Sequence, residues 1–355
     1  MTHSSDTAAV RQGEELNTGA LSDYLRGKVE GAENGVAVEQ FPGGHSNLTY
    51  HLRMGGQEYV LRRAPLGPVA PKAHDMAREF RLLKAVHPYF PEAPQVYHLC
   101  EDASVIGAVF FVMERRRGVV LRDSIPSELS SIPDYQRHVS EAVIDCMIRL
   151  HAIDVSRGEL SALGKPEGFV ERQVQGWAER WKRAKTEEMP IMDQVMGWLK
   201  DRLPPSLPPT LVHNDYKLDN IMLRVGSADV GISAVLDWEM TTLGDPLSDL
   251  GLTLCYWTWA TAPEMRSGGI PAITGEPGWY TREQFVRRYA DKTGRDLTHL
   301  GYHEVMGVFK LAVILQQIYF RFHRGQTQDQ RFKGFGERVR WLSGLAGKLM
   351  EENSK

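Results

Sequence analysis

The sequence predicts an α+β fold with two lobes, in which an antiparallel sheet is followed by a mostly helical remainder. Runs that alternate between apolar and polar residues, separated by glycine-rich turns, lie in the first third of the chain. Longer runs with helical spacing fill the rest. The chain has 355 residues, of which 42% are hydrophobic and 25% are charged. These values indicate a globular protein with a large core in one or two domains.

The first lobe is predicted to span residues 20–114, after a polar lead-in at 1–19 that is expected to be disordered. The glycine pair at 55–56 predicts a tight hairpin turn between two strands. In chain order, the predicted elements are a helix at 21–29, strands in "VAVEQF" (36–41), "LTYHLRM" (48–54) and "EYVLRR" (58–63), a helix in "KAHDMAREFRLLKAVH" (72–87) and a buried strand in "VIGAVFFVME" (105–114).

The second lobe, residues 115–355, is predicted to be mainly helical. The stretch "VMGVFKLAVILQQIYF" (305–320) is its most apolar part, but Lys310, Gln316 and Gln317 interrupt it, so we expect a buried helix rather than a membrane span. The other predicted elements are helices at 134–154, 168–185 and 190–202, a strand in "ISAVLDW" (232–238) and mostly helix over 246–349.

The composition argues against several classes of protein. The net charge is −3, which gives no basic excess of the kind that indicates a nucleic-acid partner. The three cysteines are far apart and form no CxxC pair, so neither a zinc site nor a disulfide framework is indicated. The polar N-terminus lacks the apolar core of a secretory signal. We therefore expect a cytoplasmic protein with no membrane partner.

The stretch "LVHNDYKLDNIML" (211–223) places several polar and charged residues between two apolar runs. Asn220 follows Asp215 by five positions, and Asp237 ends a later predicted strand. This combination is typical of phosphoryl transfer, in which one carboxylate accepts the proton of the substrate hydroxyl. An amide oxygen and a second carboxylate then hold Mg²⁺, which prefers such hard oxygen ligands.

Six stretches in the same order carry a family resemblance. The chain resembles the aminoglycoside phosphotransferase-like, or choline-kinase-like, family, over about residues 36 to 345. It looks most like the kinase-like domains that are associated with some acyl-CoA dehydrogenases. The resemblance implies a two-lobed protein-kinase-like fold that uses ATP and Mg²⁺. The stretches are "FPGGHSNLTY", "YVLRRAP", "PKAHDMAREFRLL", "VIGAVFFVMER", "HNDYKLDNIML" and "AVLDWEMTTLGDPLSDLG".

The resemblance also implies roles in the second lobe. Asp215 matches the catalytic base, and Lys217 matches a lysine that steadies the transferring phosphate. Asn220 and Asp237 match the magnesium ligands. Two further positions are expected to be structural: His213, which braces the catalytic loop, and Asp249, which holds the backbone of that loop.

In the first lobe, the resemblance implies a set of nucleotide-binding residues. The turn "PGGHSN" is expected to lie over the phosphates, and the backbone of the segment that joins the lobes is expected to meet the adenine. Arg62 stands where the family has a lysine, and we predict that it replaces that lysine and pairs with Glu79. The implied nucleotide-binding residues are Gly43, Gly44, Ser46, Asn47, Arg62, Glu79, Met113, Glu114 and Arg115.

The function predicted from these residues is ATP- and Mg²⁺-dependent transfer of a phosphoryl group to a hydroxyl of a small molecule. The resemblance suggests a hydroxyacyl-CoA or hydroxy acid as acceptor, and a functional link to an acyl-CoA dehydrogenase. The acceptor region is expected in the helical lobe and could include residues 168–185. Two alternatives stay open: an aminoglycoside or polyol kinase, and a non-catalytic protein that only binds nucleotide. The interval from Glu239 to Gly244 is too short for a usual protein-kinase activation segment.

Overall fold

The computed structural model of the chain describes residues 6–42, 47–65, 74–122, 124–227, 229–259 and 272–354. The chain divides into two units. The first comprises the residues up to Arg117 together with Ala234–Glu239, and the second comprises Gly118–Ser233 and the residues from Met240 onward. The first unit is rich in strands and the second is mainly helical, so the predicted α+β class is confirmed.

A five-stranded antiparallel sheet forms the frame of the first unit, in the spatial order β1-β2-β3-β5-β4. Gly55 and Gly56 form the predicted hairpin turn, with φ angles of 55° and 84°. A tight turn of this kind requires positive φ at both positions, which glycine adopts without strain. The fourth strand was not predicted, and the fifth begins later than expected. The strands are β1 (Ala37–Gln40), β2 (Leu48–Met54), β3 (Gln57–Arg63), β4 (Val96–Cys100) and β5 (Phe110–Glu114).

The described part of the first unit contains two α-helices, α1 (Thr18–Leu25) and α2 (Met76–Val86). Helix α1 begins and ends earlier than predicted. It begins at Thr18 because the side chain of Asn17 caps its N-terminus by accepting a hydrogen bond from the Ala20 N–H. Its buried leucines pack in one core with side chains of β2, β3 and β5. In α2, the helical spacing read from the sequence puts Met76, Leu82 and Leu83 in the interior.

The lead-in that was expected to be disordered is held against the sheet over its described part. Ala8 forms an antiparallel bridge with Gln40 of β1, and the hydroxyl of Tyr50 donates to the carbonyl of Glu14. Both Gln40 and Tyr50 are buried, so their polar groups need partners from this segment. The expectation of disorder is therefore wrong for residues 6–17.

The second unit contains eight helices among its described residues. Among the described helices, α9 (Leu300–His323) alone meets the length and composition criteria for a membrane span, yet most of it is buried against the neighbouring helices of this unit. The prediction of a buried helix at 305–320 is thus confirmed. The helices are α3 (Ser127–Ser130), α4 (Tyr135–His151), α5 (Phe169–Ala184), α6 (Pro190–Asp201), α7 (Pro246–Trp259), α8 (Arg282–Thr293), α9 (Leu300–His323) and α10 (Phe335–Glu352).

Five short strands complete the fold and position the polar stretch at 213–220. They form a two-stranded sheet, β7 with β10, and a three-stranded sheet in the order β6-β8-β9. The polar stretch connects β7 to β8, so a strand fixes each of its ends. These strands are β6 (Val119–Val120), β7 (Thr210–Val212), β8 (Ile221–Val225), β9 (Val230–Val235) and β10 (Thr242–Gly244).

Candidate active site

The loop between β7 and β8, residues 213–220, is called the catalytic loop below. Asn214 lies near its start with a left-handed backbone (φ 64°), a conformation that asparagine tolerates better than most residues. Its side-chain nitrogen donates to the carbonyl of Met240 at 3.0 Å. Further along, the Tyr216 hydroxyl donates to the Val143 carbonyl, and the Thr253 hydroxyl donates to the Tyr216 carbonyl. Hydrogen bonds from several elements therefore fix the path of the loop.

Asp249, in the first turn of α7, holds the start of the catalytic loop. Its two carboxylate oxygens accept the backbone N–H groups of His213 at 2.5 Å and of Asn214 at 2.6 Å. The ring of His151 lies 3.3 Å from the same carboxylate. Burial alone would raise the pKa of Asp249, but the hydrogen bonds and the nearby histidines lower it. The structure thus gives Asp249 the scaffold position expected from the sequence.

Asp215 forms the polar centre of the catalytic loop, together with Asn220 and Lys217. The side-chain nitrogen of Asn220 donates to the backbone carbonyl of Asp215 and to its Oδ2, both at 2.8 Å. The Lys217 ammonium lies 3.2 Å from the same Oδ2. Asp215 retains 22% of its side-chain exposure. The carboxylate is therefore held at Oδ2 while part of it stays accessible.

The side chain of Lys217 keeps its positive charge. Burial disfavours its ammonium form, yet the neighbouring Tyr256 and Asp215 raise the pKa of Lys217 above its usual range. The ammonium also stands 5.1 Å from the ring centroid of Tyr256, a cation–π distance. Lys217 is thus a fixed positive charge beside the carboxylate of Asp215.

The first unit contains a second polar centre around Arg62 on β3. Its Nη2 donates to Asp237 Oδ1 at 2.6 Å, and its Nε lies 3.2 Å from the Glu79 carboxylate. The contact with Glu79 is an ion pair rather than a well-aligned hydrogen bond. Arg62, which stands at the expected lysine position, thus pairs with Glu79 of α2, as the resemblance implied. It bridges this glutamate to Asp237, whose backbone is left-handed (φ 63°).

Burial affects the two sides of this ion pair differently. It disfavours the charged guanidinium, but Glu79 and Asp237 more than compensate and raise the pKa of Arg62. Burial also raises the pKa of Glu79 to about 7, with Arg62 acting in the opposite direction. Arg62 therefore stays charged, whereas at Glu79 burial outweighs the attraction of Arg62.

Asn47 and Glu239 extend this centre. The Asn47 side-chain nitrogen donates to Glu239 at 3.0 Å, and its side-chain oxygen lies 2.8 Å from Nδ1 of His74. Both polar ends of the Asn47 side chain thus have protein partners, so its predicted phosphate contact would fall to its backbone. The predicted residues Gly43, Gly44 and Ser46 lie outside the described residues.

The segment predicted to meet the adenine, residues 113–115, begins inside the sheet. Met113 pairs with Val60 on one side and with Val96 on the other. The N–H of Glu114 donates to the Gln95 carbonyl at 2.8 Å. Arg115 is the one residue of the three that follows β5, and its guanidinium donates to Asp6. The adenine contact stays a prediction. The backbone of Arg115 fits it best, because of these three residues only Arg115 lies beyond the paired strand.

A pocket in the second unit adjoins the catalytic loop. It is small, largely apolar and partly open to solvent. The hydroxyls of Thr253 and Thr274 and the indole N–H of Trp257 all donate to backbone carbonyls, so these residues present mainly methyl groups and ring surfaces. The lining residues are Val143, Lys217, Leu218, Thr253, Tyr256, Trp257 and Thr274.

The helix that was expected to contribute to the acceptor region does not line this pocket. In α5, Trp177 and Trp181 are buried in the core of the second unit. The guanidinium of Arg180 stacks on Trp177 at 4.5 Å, and that of Arg172 donates to backbone carbonyls. A packed amphipathic helix explains residues 168–185, because their aromatic groups are used in packing.

Two residues beside the catalytic loop, Lys310 and Tyr256, are not identified from the sequence. In the sequence, Lys310 stands out only as an interruption of an apolar run, and nothing distinguishes Tyr256. The Lys310 ammonium donates to the carbonyl of Asn214 at 2.6 Å. A lysine within an otherwise apolar helix is a signal that could have identified it, since a buried ammonium needs a partner. Tyr256 carries no comparable signal.

The residues predicted to bind magnesium fit a hard cation. Because the Asn220 nitrogen faces two oxygen acceptors, its side-chain oxygen, the atom that binds metals, must point away from them. Asp237 supplies a carboxylate oxygen. An amide and a carboxylate oxygen suit Mg²⁺. Among the described residues, no group of three or more His, Cys, Asp or Glu side chains could hold a metal.

The fold and these two centres define a protein-kinase-like phosphotransferase, and comparison with known proteins agrees. Residues 37–282 match the model of the phosphotransferase enzyme family. A candidate aminoglycoside phosphotransferase from Ralstonia eutropha superimposes with a TM-score of 0.80 at 31% identity, covering 95% of this chain and 99% of its own. A thermostable mutant of aminoglycoside phosphotransferase APH(4)-Ia, solved with AMP-PNP and hygromycin B, gives a TM-score of 0.58 at 17% identity, covering 94% and 98%, and shows the fold alone.

The chain belongs to the phosphotransferase enzyme family. Acyl-CoA dehydrogenase family member 11 of Mus musculus is 36% identical over 92% of this chain. The chain covers 42% of that relative, and thus spans less than half the length of the curated relatives it matches. The predicted family, protein-kinase-like fold and enzyme class, a phosphotransferase of the small-molecule kinase type, are confirmed.

Proposed function

We propose that the chain transfers a phosphoryl group from ATP to a hydroxyl of a small hydroxyacyl compound, with Mg²⁺ as the metal. The observation that carries the proposal is the arrangement at Asp215. Asn220 and Lys217 both bind Oδ2 of its carboxylate. The second oxygen, Oδ1, is then the atom positioned to accept a hydrogen bond from the acceptor hydroxyl.

Asp215 would act by orienting the hydroxyl and accepting its proton at Oδ1. The scaffold contacts of Asp249 hold the preceding backbone, so the carboxylate needs little rearrangement when an acceptor binds. Lys217 places a positive charge next to this carboxylate and would stabilise negative charge that develops nearby. Catalysis in this class consists mainly of such positioning and charge neutralisation.

The remaining roles concern the nucleotide. When bound, Mg²⁺ and ATP supply the phosphoryl group and neutralise its charge. Asn220 and Asp237 would hold the metal through their side-chain oxygens. Arg62 would bind phosphate oxygens, a task that suits the forked geometry of its guanidinium. Arg62 now binds Asp237 and Glu79, so phosphate binding would compete with this bridge.

The pocket beside the catalytic loop supports the class of acceptor. Of the described residues that line it, Lys217 alone carries a charge, and that charge is positive. None of the described lining residues carries a carboxylate that could bind the ammonium groups of an aminoglycoside, whereas Val143 and Trp257 offer apolar contacts to an acyl chain. The Tyr256 hydroxyl and the Lys217 ammonium offer donors for a carbonyl or carboxylate oxygen. A hydroxyacyl chain combines these features.

The test is ADP release measured with ATP and Mg²⁺ across a panel of acceptors: hydroxyacyl-CoA thioesters of increasing chain length, the free hydroxy acids, aminoglycosides and choline. Asp215→Ala is the control variant. We expect hydroxyacyl compounds to stimulate turnover. The variant should lose the stimulation while it still binds ATP.

Other outcomes point to the alternatives. Stimulation by aminoglycosides or polyols alone would keep the kinase and refute the hydroxyacyl acceptor. ATP binding that no acceptor converts into turnover, and that Asp215→Ala leaves unaffected, would favour a protein that only binds nucleotide. The presence of Arg62 at the lysine position is the observation that keeps this alternative in view.

We also propose a functional link to an acyl-CoA dehydrogenase. The support is the name of relatives such as family member 11, which are more than twice as long as the matched region. The product of this chain would then be a substrate for dehydrogenase chemistry on the same or on another polypeptide. Co-purification of the chain with a dehydrogenase, or turnover of the phosphorylated product by one, would test the link.

A further inference from the structure

Lys310 lies in the middle of α9, among residues that are almost all apolar and buried. The residue itself is 6% exposed. Its ammonium donates to the carbonyl of Asn214 at 2.6 Å and stands 5.4 Å from the ring centroid of Trp177. A lysine whose charge is buried in this way is rare in a protein core and is costly unless it is paired.

The carbonyl that Lys310 contacts belongs to the peptide unit joining Asn214 to Asp215. The N–H of the same peptide unit donates to Nδ1 of His213 at 3.3 Å. The preceding peptide unit is held through its N–H by Asp249. Both ends of the peptide that precedes the predicted base are therefore fixed, and Lys310 supplies the contact on the carbonyl side.

We propose that Lys310 is a positioning residue, which sets the orientation of Asp215 by anchoring the carbonyl of the left-handed Asn214. The inference rests on the proposed function, because it assigns Lys310 to the base of that reaction. Lys310 touches neither substrate nor nucleotide in this proposal. It acts through the backbone of the catalytic loop.

The electrostatic setting agrees with this role. Burial lowers the pKa of Lys310 to about 8, and the carboxylates of Asp215 and Asp249 act in the opposite direction. A methionine would fill the same space without a desolvation cost, so packing alone does not account for a lysine here. What a methionine cannot do is donate a hydrogen bond to the loop.

Gln316, six residues further along α9, offers a control. It is also buried, and its side-chain nitrogen donates to a backbone carbonyl, that of Ala184, at 2.8 Å. That carbonyl ends α5 and has no part in the catalytic loop. The same nitrogen also donates to the Thr186 hydroxyl at 3.1 Å, so Gln316→Met removes two hydrogen bonds from the same helix while leaving the catalytic loop untouched.

The experiment compares Lys310→Met, with Lys310→Leu as a second apolar replacement, against Gln316→Met and the unmodified chain. Steady-state kinetics give kcat and the KM for ATP with the best acceptor of the panel. Hydrogen–deuterium exchange of the peptide covering residues 213–220 reports on the loop without requiring activity. Thermal unfolding of each variant identifies losses that arise from stability.

We expect the Lys310 variants to lose kcat by on the order of tenfold to a hundredfold, with the KM for ATP unchanged. Exchange in 213–220 should accelerate by roughly tenfold or more, since a loop that loses an anchor opens more often. Gln316→Met should change neither. Unchanged kcat and exchange in a folded Lys310 variant, or equal losses in Gln316→Met, would overturn the inference. If the unmodified chain shows no acceptor-dependent turnover, the proposed function fails, and the exchange data still decide whether Lys310 anchors the loop.

Discussion

Replacing Asp249 by asparagine removes a charge from the scaffold of the catalytic loop without changing its shape. One carboxylate oxygen becomes an NH₂ group that faces a backbone N–H, either that of His213 or that of Asn214. One hydrogen bond is lost and the other loses its charge assistance. Because hydrogen bonds to charged groups contribute about 1.5–3 kcal/mol each, we expect the free energy of unfolding to fall by about 2–4 kcal/mol.

Asp245 provides the control for this prediction. It is also buried, and its two oxygens accept the backbone N–H groups of Leu247 at 2.9 Å and Leu207 at 3.0 Å. Asp245→Asn should therefore destabilise the chain by a similar amount. Urea unfolding measures both variants, and kcat is measured for the folded fraction. We expect kcat to fall about tenfold or more for Asp249→Asn alone. Equal kcat values in the two variants would refute a role for Asp249 in holding the loop.

Three further predictions concern other parts of the molecule. Arg62→Ala leaves Glu79 and Asp237 without their counter-charge, which should lower the unfolding free energy by about 3–5 kcal/mol. It should also raise the KM for ATP. An unchanged KM and kcat would contradict phosphate binding by Arg62. Burial lowers the pKa of His303 to about 4 despite the nearby Asp245. Below the ordinary histidine pKa of 6.5, unfolding therefore takes up a proton. The stability contributed by neutral His303 is lost as pH falls from 6.5 toward 4. Relative to His303→Gln, urea unfolding should show a loss of about 2 kcal/mol between pH 7 and pH 5, and equal slopes would exclude this histidine. EDTA should abolish acceptor-dependent ADP release yet leave the nucleotide-free melting temperature unchanged; a lower melting temperature would reveal a resident structural metal.

Local patterns predicted the elements whose signals lie within a few residues. The hairpin at Gly55 and Gly56 follows from the positive φ that its turn requires, and the long helices follow from their apolar spacing. Strand β4 was missed because it is short and its pairing with β5 shifts register between Val96 and His98. The ordered conformation of residues 6–17 could not be predicted, because it depends on partners in β1 and β2 that are distant in sequence.

In the candidate site, too, short local motifs could be predicted from the sequence and contacts between distant residues could not. The resemblance predicted roles for Asp215 and Asn220 and the pairing of Arg62 with Glu79 from short motifs. The structure shows the contact of Asn220 with Asp215 and the ion pair of Arg62 with Glu79. The contact of Lys310 with the loop could not be predicted, because 96 positions separate Lys310 from Asn214. The pocket was not predicted either, since its walls come from α4, the catalytic loop and α7, and its apolar character depends on which hydroxyls donate to the backbone.

The most direct test of the account replaces the proposed base and separates chemistry from binding. Asp215→Asn keeps the size of the side chain but removes the carboxylate that would accept the hydroxyl proton. With ATP, Mg²⁺ and a hydroxyacyl acceptor, we expect kcat for ADP release to fall by about a hundredfold or more, while calorimetry gives an unchanged Kd for ATP. A variant that keeps its turnover, or that loses ATP binding in proportion to its activity, would contradict Asp215 as the base of a small-molecule kinase.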